Sequence, residues 1–385
     1  MRVVRVGVAP LTSRLWCVAL LSASPLVAQE EGITLGKVIV NTGSDSSSLS
    51  NASQFSRLTP DGGVLVADHV TQMLYHYAPD GALRWRAGQR GEGPGEFRAL
   101  ANFGADAGRV IALDRALRRT TIFSLKSGKL IETRPFPTPP PTLVAPEFWA
   151  EIGACSAWLA KEPQTTYLGL ATVSDKGKLH RFSLGGAATQ AVTIHHQGQD
   201  RNFFPPYLLL PQPGLDVVRG DVAIVSKPQI NARSVRFELA RLDACGRPTF
   251  PARTVEFPAI LFPAGERERH VKMWNEAGER MGIPGSEMRS AIARGLQLPP
   301  AYPPLVNASL ATDRRLIGRR TGETVEPVSA VARRWVLIPT VGGPIVEFVT
   351  RRSMTVIDVV GKDVLIRDLP NGWGGAEVIR LARLP

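Results

Sequence analysis

Residues 63–68 read GVLVAD, and residues 108–114 read GRVIALD, a second copy of the same pattern. The two aspartates stand 46 positions apart (68 to 114), and nine positions beyond each stands an aromatic residue, Tyr77 and Phe123. A glycine-containing turn follows each aromatic. A strand, a short loop, a second strand and a glycine turn at this period are typical of one blade of a β-propeller.

Weaker copies of the first strand begin near residues 156, 221, 315 and 363, which makes six in all. The sequence therefore predicts an all-β fold, a six-bladed β-propeller. Residues 33–50 precede the first copy and contain strand-like stretches, and the last strand-like stretch is 377–381. We expect these two ends of the chain to pair, because a closed ring has no exposed sheet edges.

The long spacing between the fourth and fifth copies predicts a helical hairpin at about 265–296, not a seventh blade. Apolar residues recur there every four positions, which is helical periodicity: Met273, Ala277 and Met281, then Met288, Ile292 and Leu296. The break at Gly282–Gly285 separates the two helices, and Ser286 is a candidate N-cap. These apolar side chains predict packing on the ring or over the mouth of its tunnel, with the side of blades four and five as the alternative.

The N-terminus has the features of an export signal. Arg2, Arg5 and Arg14 bring positive charge without acids, an apolar stretch runs over 15–23, and small residues precede Gln29. Such a stretch is too short to span a membrane and is typical of a cleaved signal peptide. We predict that 1–28 is removed, that 29–385 forms the propeller domain, and that the protein is periplasmic or secreted without a membrane span.

Composition narrows the partners. The net charge is +12, with 46 basic and 34 acidic residues, but the arginines are scattered and no basic tract alternates with stacking aromatics, so we predict no nucleic-acid partner. No cysteine and histidine spacing suits zinc. Cys155 and Cys245 remain after cleavage, and we expect them to be unbridged, because their positions in neighbouring blades suggest Cα atoms farther apart than a disulfide allows.

The first repeat resembles a known group. Val66–Asp68, Tyr75–Gly81 and the loop Gly88–Phe97 are similar to an NHL-type repeat of bacterial exported six-bladed β-propellers, although 70–72 departs from the consensus of that repeat. The likeness is strong over 60–100, fair over 101–135 and 300–385, and weak between. The resemblance implies fold and export but no single activity, because propellers host lyases, lactonases, adhesins and scaffolds.

The loop motif of that family raises the question of a phosphate cradle. It consists of Gly91, Glu92, Gly93, Pro94, Gly95, Glu96 and Phe97. A phosphate cradle needs converging backbone N–H groups at a helix N-terminus, whereas Pro94 removes one donor and a strand is expected next. A structural turn is the better interpretation. His195 and His196 are adjacent on a predicted strand and point to opposite faces, so they do not form a metal pair; His69 and His76 are interpreted in the same way, as solvated or core histidines.

Polar residues on candidate inner strands offer a possible site in the central tunnel. They are Asn102, Glu151, Asp216, Asn307 and Asp358. Carboxylates and amides that converge on an axis suit calcium, as in gluconolactonase- and paraoxonase-like hydrolases. The alternative is a set of hydrogen-bonded polar residues around ordered water.

Two functions are weighed on the sequence, and a purely scaffolding role also remains open. The first is an exported binding or interaction module for a small molecule, glycan or protein, with no cofactor. The second is a calcium-dependent hydrolase or lactonase that uses the tunnel, although no nucleophile motif such as Gly-x-Ser-x-Gly is present. Convergence of the five polar residues would favour the second, and their separation the first.

Overall fold

The structure is a computed structural model of the 385-residue chain. It describes residues 32–41, 56–152, 154–161, 168–183, 192–203, 214–215, 222–225, 229–243, 245–295, 301–302, 305–320, 332–369 and 377–384. The strands are β1 Thr34–Asn41, β2 Ser56–Leu58, β3 Val64–Asp68, β4 Met73–Tyr77, β5 Leu83–Ala87, β6 Leu100–Ala105, β7 Arg109–Asp114, β8 Arg119–Ser124, β9 Leu130–Pro135, β10 Val144–Ile152, β11 Cys155–Lys161, β12 Leu168–Val173, β13 Leu179–Ser183, β14 Val192–His196, β15 Gln199–Phe203, β16 Gly214–Leu215, β17 Val222–Val225, β18 Gln229–Ile230, β19 Ser234–Leu242, β20 Arg253–Pro258, β21 Leu305–Leu310, β22 Arg315–Arg320, β23 Ala332–Pro339, β24 Val346–Arg351, β25 Met354–Val360, β26 Asp363–Asp368 and β27 Val378–Arg383. The helices are α1 Glu266–Arg280 and α2 Gly285–Gly295.

Six antiparallel sheets form the blades of the predicted propeller. Blades 1, 2 and 3 are β2–β5, β6–β9 and β10–β13, each in chain order. In blade 4, β17 and β18 pair with one edge of β19 and β20 with the other, while β16 pairs with β17. Blade 5 is β21–β24, and blade 6 is β25, β26, β27 and β1. The fold class predicted from the sequence is confirmed.

The apolar cores lie between neighbouring blades. Each sheet contributes side chains from both faces, so that one cluster joins blades 1 and 2, and others join blades 2 and 3, 4 and 5, 5 and 6, and 6 and 1. Between blades 3 and 4, the cluster in the described part of the chain is the cysteine pair Cys155 and Cys245. Each sheet is covered on both faces by its neighbours, so every residue of Val64–Asp68, the second strand of blade 1, is buried.

The repeated aspartates anchor the turn between the second and third strands of their blades. Asp68 accepts hydrogen bonds from the Val70 N–H at 2.8 Å and the Thr71 hydroxyl at 2.7 Å. Asp114 accepts the Leu117 N–H at 2.9 Å and also two N–H groups of the segment that enters blade 2. Both carboxylates are buried. Because buried N–H groups need an acceptor, the aspartate at this position of each repeat satisfies the donors of the turn.

The ring closes as the sequence predicts. The N-terminal strand β1 pairs antiparallel with β27, from Thr34 opposite Arg383 to Asn41 opposite Val378. The pairing gives blade 6 its fourth strand and covers the edge that β27 would otherwise expose.

The helical insertion lies where periodicity places it. The α1 helix begins after Gly265, whose φ of 83° suits glycine, and Glu266 and Glu268 in its first turn complement the helix dipole. Gly278 allows close contact between the helices, because a Cβ there would stand 2.4 Å from the Met288 Cε. The α2 helix starts one residue before the predicted cap, so that Ser286 lies in its first turn, and Leu296 falls outside the described residues.

The helices pack against a β-hairpin that was not predicted from the sequence. Strands β14 and β15 form this hairpin within the long connection between blades 3 and 4. The buried side chains that join the two parts are Ile194, Trp274, Ile283, Met288, Ala291 and Ile292. The apolar residues of the helical insertion therefore pack on one another and on Ile194 of this hairpin, a partner that neither predicted arrangement included.

The prediction about the cysteines is wrong. Cys155 and Cys245 form a disulfide with a Cα–Cα distance of 5.0 Å. Cys155 opens β11 in blade 3, and Cys245 lies in the turn between β19 and β20 of blade 4. The expectation of a longer distance rested on strand positions, whereas the turn after Leu242 projects beyond the strand ends and reaches the neighbouring blade.

Candidate functional site

A cavity of about 370 Å³ lies between blades 2 and 3. This size is at the lower end of the range for small-molecule sites. Its walls come from β6, from the turn between β7 and β8, and from the first strands of blade 3. The lining residues are Ala101, Asn102, Leu113, Arg115, Arg118, Phe136, Pro146, Glu147, Phe148, Trp149 and Trp158.

Backbone irregularity in β10 builds one wall of this pocket. Four consecutive residues, 146–149, line it, although side chains of a regular strand alternate between faces. The register of β10 against β11 shifts between Val144 and Glu147 and again between Phe148 and Ala150. Bulges of this kind redirect side chains, so that Glu147, Phe148 and Trp149 all reach the cavity.

The wall is aromatic at its base. The Phe148 ring lies 4.3 Å from the Phe136 ring and 5.1 Å from the Trp158 ring, between centroids. Phe148 and Trp158 are buried, whereas Phe136 and Trp149 are partly exposed. The Trp158 indole is fixed because its Nε1 donates to the Ser156 hydroxyl at 2.9 Å. A rigid apolar surface is therefore available to the flat face of a ligand.

The opposite wall carries charge. Arg115 donates a hydrogen bond to the Glu147 carboxylate, which joins blade 2 to blade 3 across the pocket. Arg118 has a φ of 49°, a left-handed conformation that is uncommon for a residue other than glycine. Within the described residues, no carboxylate forms an ion pair with Arg118. The lining side chains therefore carry a net charge of about +1.

The corresponding position of blade 1 shows what the turn itself requires. Gln72 follows Asp68 by four positions, as Arg118 follows Asp114, and it also has a positive φ, of 61°. The Gln72 side chain is buried and accepts the Leu100 N–H at 2.7 Å. The left-handed backbone is thus a property of this turn. The side chain at this position differs in its role: Gln72 accepts a backbone N–H inside blades 1 and 2, whereas Arg118 lines the pocket.

The predicted tunnel residues lie in different places. Asn102 lines the pocket, and its Oδ1 accepts the Phe103 N–H at 2.9 Å. Glu151 lies 3.6 Å from Arg134 as an ion pair. Asn307 is in β21, where only its backbone is described, and Asp216 lies outside the described residues. Across the part of the chain that is described, no three His, Cys, Asp or Glu residues are grouped so as to hold a metal ion.

Asp358 joins three blades. Its carboxylate accepts the Leu58 N–H of blade 1 at 2.8 Å, and the Thr312 N–H and hydroxyl of blade 5 at 2.7 and 2.6 Å. It also accepts the Val359 N–H beside it in blade 6. Burial raises the pKa of Asp358, against the opposing effects of the Arg57 charge and these hydrogen bonds. Its described contacts make Asp358 a structural link between blades.

The glycine-rich loop is held from within by Glu96. The Glu96 carboxylate accepts the Gly93 N–H at 2.8 Å and bonds to the Gln89 amide. A Cβ on Gly91 would stand 2.0 Å from this carboxylate, so a larger residue there would displace the Glu96 side chain. Of the three glycines, Gly95 alone has a positive φ.

Arg119 and Phe97 fix the same loop to blade 2. Arg119 donates to the carbonyl oxygens of Glu92, Gly93 and Glu96 at 2.6–2.8 Å. Phe97 is fully buried in the core between blades 1 and 2. The loop holds its own carboxylate where a phosphate cradle would hold an anion, which agrees with the structural interpretation.

The histidines lie in separate surroundings. His76 is buried, and its Nε2 lies 3.4 Å from the Thr59 hydroxyl and 3.7 Å from the Asp61 carboxylate. Burial lowers the pKa of His76, and Asp61 partly offsets the effect. His69 is partly buried, and burial lowers its pKa as well. The Nδ1 of His196 lies 3.9 Å from the Glu287 carboxylate of α2, whereas His195 on the opposite face is exposed.

The six-sheet ring with a pocket between two blades defines a six-bladed β-propeller. The family described as "DUF5128: 6-bladed beta-propeller" matches residues 44–147, which include blades 1 and 2. No match was found among curated proteins. Neither α1 nor α2 of the described chain is long and apolar enough to cross a membrane.

Several solved structures are similar to the chain. One is a presumed exported protein from Bacteroides fragilis, with 11% identity, 93% of this chain and 95% of that chain covered, and a TM-score of 0.42. Another is a member of the DUF4221 family from Bacteroides vulgatus, with 10% identity, 92% and 98% covered, and a TM-score of 0.41. A third is regucalcin, a calcium-binding protein from Agrobacterium tumefaciens, with 10% identity, 91% and 95% covered, and a TM-score of 0.33. At these identities and TM-scores, none of the three indicates a function for the chain.

Proposed function

We propose that this protein is an exported binding module, and that its ligand is a small molecule or a short glycan held in the pocket between blades 2 and 3. The observation that carries the proposal is the composition of that pocket. It combines an aromatic wall, presented by the bulged strand β10, with the Arg118 cation on a turn anchored by buried Asp114. Concave sites with apolar walls and a few polar groups are typical ligand sites.

Export is supported by two features of the chain. The N-terminal charge and apolar length suit a signal peptide, and a disulfide between Cys155 and Cys245 suits an oxidising compartment. The pairing of the cysteines, which their sequence positions did not predict, thus adds to the case for export.

Binding is favoured over calcium-dependent hydrolysis by the positions of the predicted ligands. Asn102 and Glu151 lie at the junction of blades 2 and 3, whereas Asp358 links blade 6 to blades 1 and 5, and each of the three has a protein partner. A calcium titration of the purified protein, followed by thermal unfolding, tests the alternative: a rise in Tm that saturates with calcium would support it.

A pocket-filling variant tests the binding proposal. Ala101 lines the pocket, and Ala101→Trp fills part of the cavity, while Ala82→Trp places the same side chain on an exposed turn of blade 1. A library of sugars, organic acids and aromatic compounds is screened against the wild type by thermal shift. We expect hits to bind wild type and Ala82→Trp but to be lost in Ala101→Trp.

The comparison requires that both variants fold, which circular dichroism and the unliganded Tm establish. Hits that bind a folded Ala101→Trp variant as tightly as wild type would place the ligand elsewhere and contradict the proposal. A screen without any hit blocked by the substitution would have the same meaning.

A further inference from the structure

We infer that the ligand of this pocket is an acidic sugar, a pyranose that carries one carboxylate, and that Arg118 binds the carboxylate. The inference rests on the proposed function, since it assigns the chemistry of the same site. Three properties of the lining carry it: its charge, its unused hydrogen-bonding groups and its partly exposed rings.

The charge of the lining matches a monoanion. Glu147 neutralises Arg115 through their hydrogen bond. Arg118 is exposed and has no carboxylate partner among the residues described, so one positive charge remains. A carboxylate carries one negative charge, whereas a phosphate monoester carries about −1.5 to −2 at neutral pH. Arginine also binds carboxylates with two parallel hydrogen bonds, and both points favour a carboxylate.

The remaining polar groups match hydroxyls. The Oδ1 of Asn102 is occupied by the Phe103 N–H, so its Nδ2 is left as a donor. The Glu147 carboxylate uses Oε1 for Arg115, which leaves Oε2 as an acceptor. A donor and an acceptor on facing walls suit neighbouring hydroxyls, because a hydroxyl both donates and accepts. A purely aromatic acid would leave both groups without partners, at a cost in affinity.

The rings complete the match. Phe136 and Trp149 are the partly exposed aromatics of the wall, and the buried Phe148 ring, which packs on Trp158, supports Phe136. The apolar C–H face of a pyranose can stack on such a surface while its hydroxyls point to the rim. The cavity of about 370 Å³ is at the small end for ligand sites, so we expect one or two sugar rings to enter.

The turn explains why Arg118 is well placed for this role. The residue four positions after the anchoring aspartate has a left-handed backbone in both blades 1 and 2, and buried Asp114 fixes the turn through its bonds to Leu117 and the strand entry. Arg118 also accepts the Phe136 N–H through its carbonyl oxygen at 2.7 Å. Its backbone is therefore fixed on both sides, and only its side chain is free to adjust to a ligand.

Calorimetric titration of the purified protein tests the inference with three probes: methyl glucuronoside, methyl glucoside and benzoate. We expect the glucuronoside to bind at least about tenfold more tightly than the glucoside, since the pair differs by one charge-assisted contact. Arg118→Gln should abolish the difference. Arg86→Gln, which removes an exposed arginine from the outer strand of blade 1, should preserve it.

Four results would overturn the inference: equal affinity for the two glycosides, a preference that survives in folded Arg118→Gln, tighter binding of benzoate than of the glucuronoside, or no binding of either glycoside. The proposed function has a separate outcome. If the screen finds some other ligand that Ala101→Trp blocks, the pocket is a binding site and only the acidic sugar is wrong. If no ligand is blocked by Ala101→Trp, both ideas fail.

Discussion

Removal of the disulfide between Cys155 and Cys245 should destabilise the protein strongly. The cysteines are 90 residues apart. A cross-link of that span lowers the entropy of the unfolded chain, which raises the free energy of unfolding by about 4.5 kcal/mol at 25 °C. The bond joins blades 3 and 4, where the described residues contribute no larger apolar cluster. We therefore expect little compensation from neighbouring packing.

The size of the effect on Tm follows from the length of the chain. An unfolding entropy of about 2.1 cal/mol/K per residue, applied to 385 residues, converts about 4.5 kcal/mol into a decrease of about 6 °C. The variant is the double substitution Cys155→Ala with Cys245→Ala, which leaves no free thiol at either position. Urea unfolding and calorimetry measure the two quantities.

Reduction supplies the control. Dithiothreitol should lower the stability of the wild type to that of the double variant and leave the variant unchanged. Thiol labelling of the denatured, unreduced wild type should find neither cysteine reactive. Two reactive thiols, or a loss below about 1 kcal/mol, would refute this account of the bond.

Four further predictions concern other regions. Burial holds the pKa of His76 below its ordinary value of about 6.5, so the folded state binds fewer protons than the unfolded state. The free energy of unfolding should therefore fall as the pH drops through 6.5 and level off below the folded pKa. Urea titrations should show a shallower decline in His76→Gln than in wild type, and parallel curves would contradict this prediction. Asp358→Asn replaces an acceptor oxygen by an N–H₂ group that faces donors such as the Leu58 N–H, and it should lower the free energy of unfolding by about 1–3 kcal/mol. Asp358→Ala should lower it at least as much. Unchanged urea midpoints would contradict this prediction. N-terminal sequencing of the exported protein should show that 1–28 has been removed, whereas a start at Met1 would show that no signal is cleaved. Replacing 265–296 by a short Gly/Ser bridge should expose Ile194 of the β14–β15 hairpin and increase binding of a hydrophobic dye, while the disulfide still forms; unchanged dye binding would mean that the helices cover no apolar surface.

The parts of the fold that depend on local pattern could be predicted. The GVLVAD and GRVIALD stretches became β3 and β7 with their terminal aspartates buried, because a turn with unsatisfied N–H donors requires an acceptor whatever surrounds it. The helices followed from a four-residue period, and closure followed from strand-like ends.

The parts that depend on distance or irregularity could not. The disulfide requires a turn of blade 4 to reach blade 3, which spacing along the chain does not encode. The pocket depends on two bulges in β10, for which Pro146 is the one visible signal, since proline within a strand often marks a bulge. The β14–β15 hairpin also had a sequence signal, Gly198, because its two-residue turn requires positive φ at Gln197 and Gly198 and glycine is favoured at such positions.

The pairing of β1 with β27 has a consequence for how the chain reaches its native state. Thr34 and Arg383 are neighbours in blade 6, so this pairing brings together the two ends of the propeller sequence. Synthesis delivers β1 long before β27, so β1 lacks its partner until β27 has been made. Contacts of such long sequence separation form late and slowly, and the open intermediate is exposed to strand exchange and aggregation in the interval. A chain interrupted before β27 would remain in that state, so the addition of β27 completes the ring and ends this exposure at the same step.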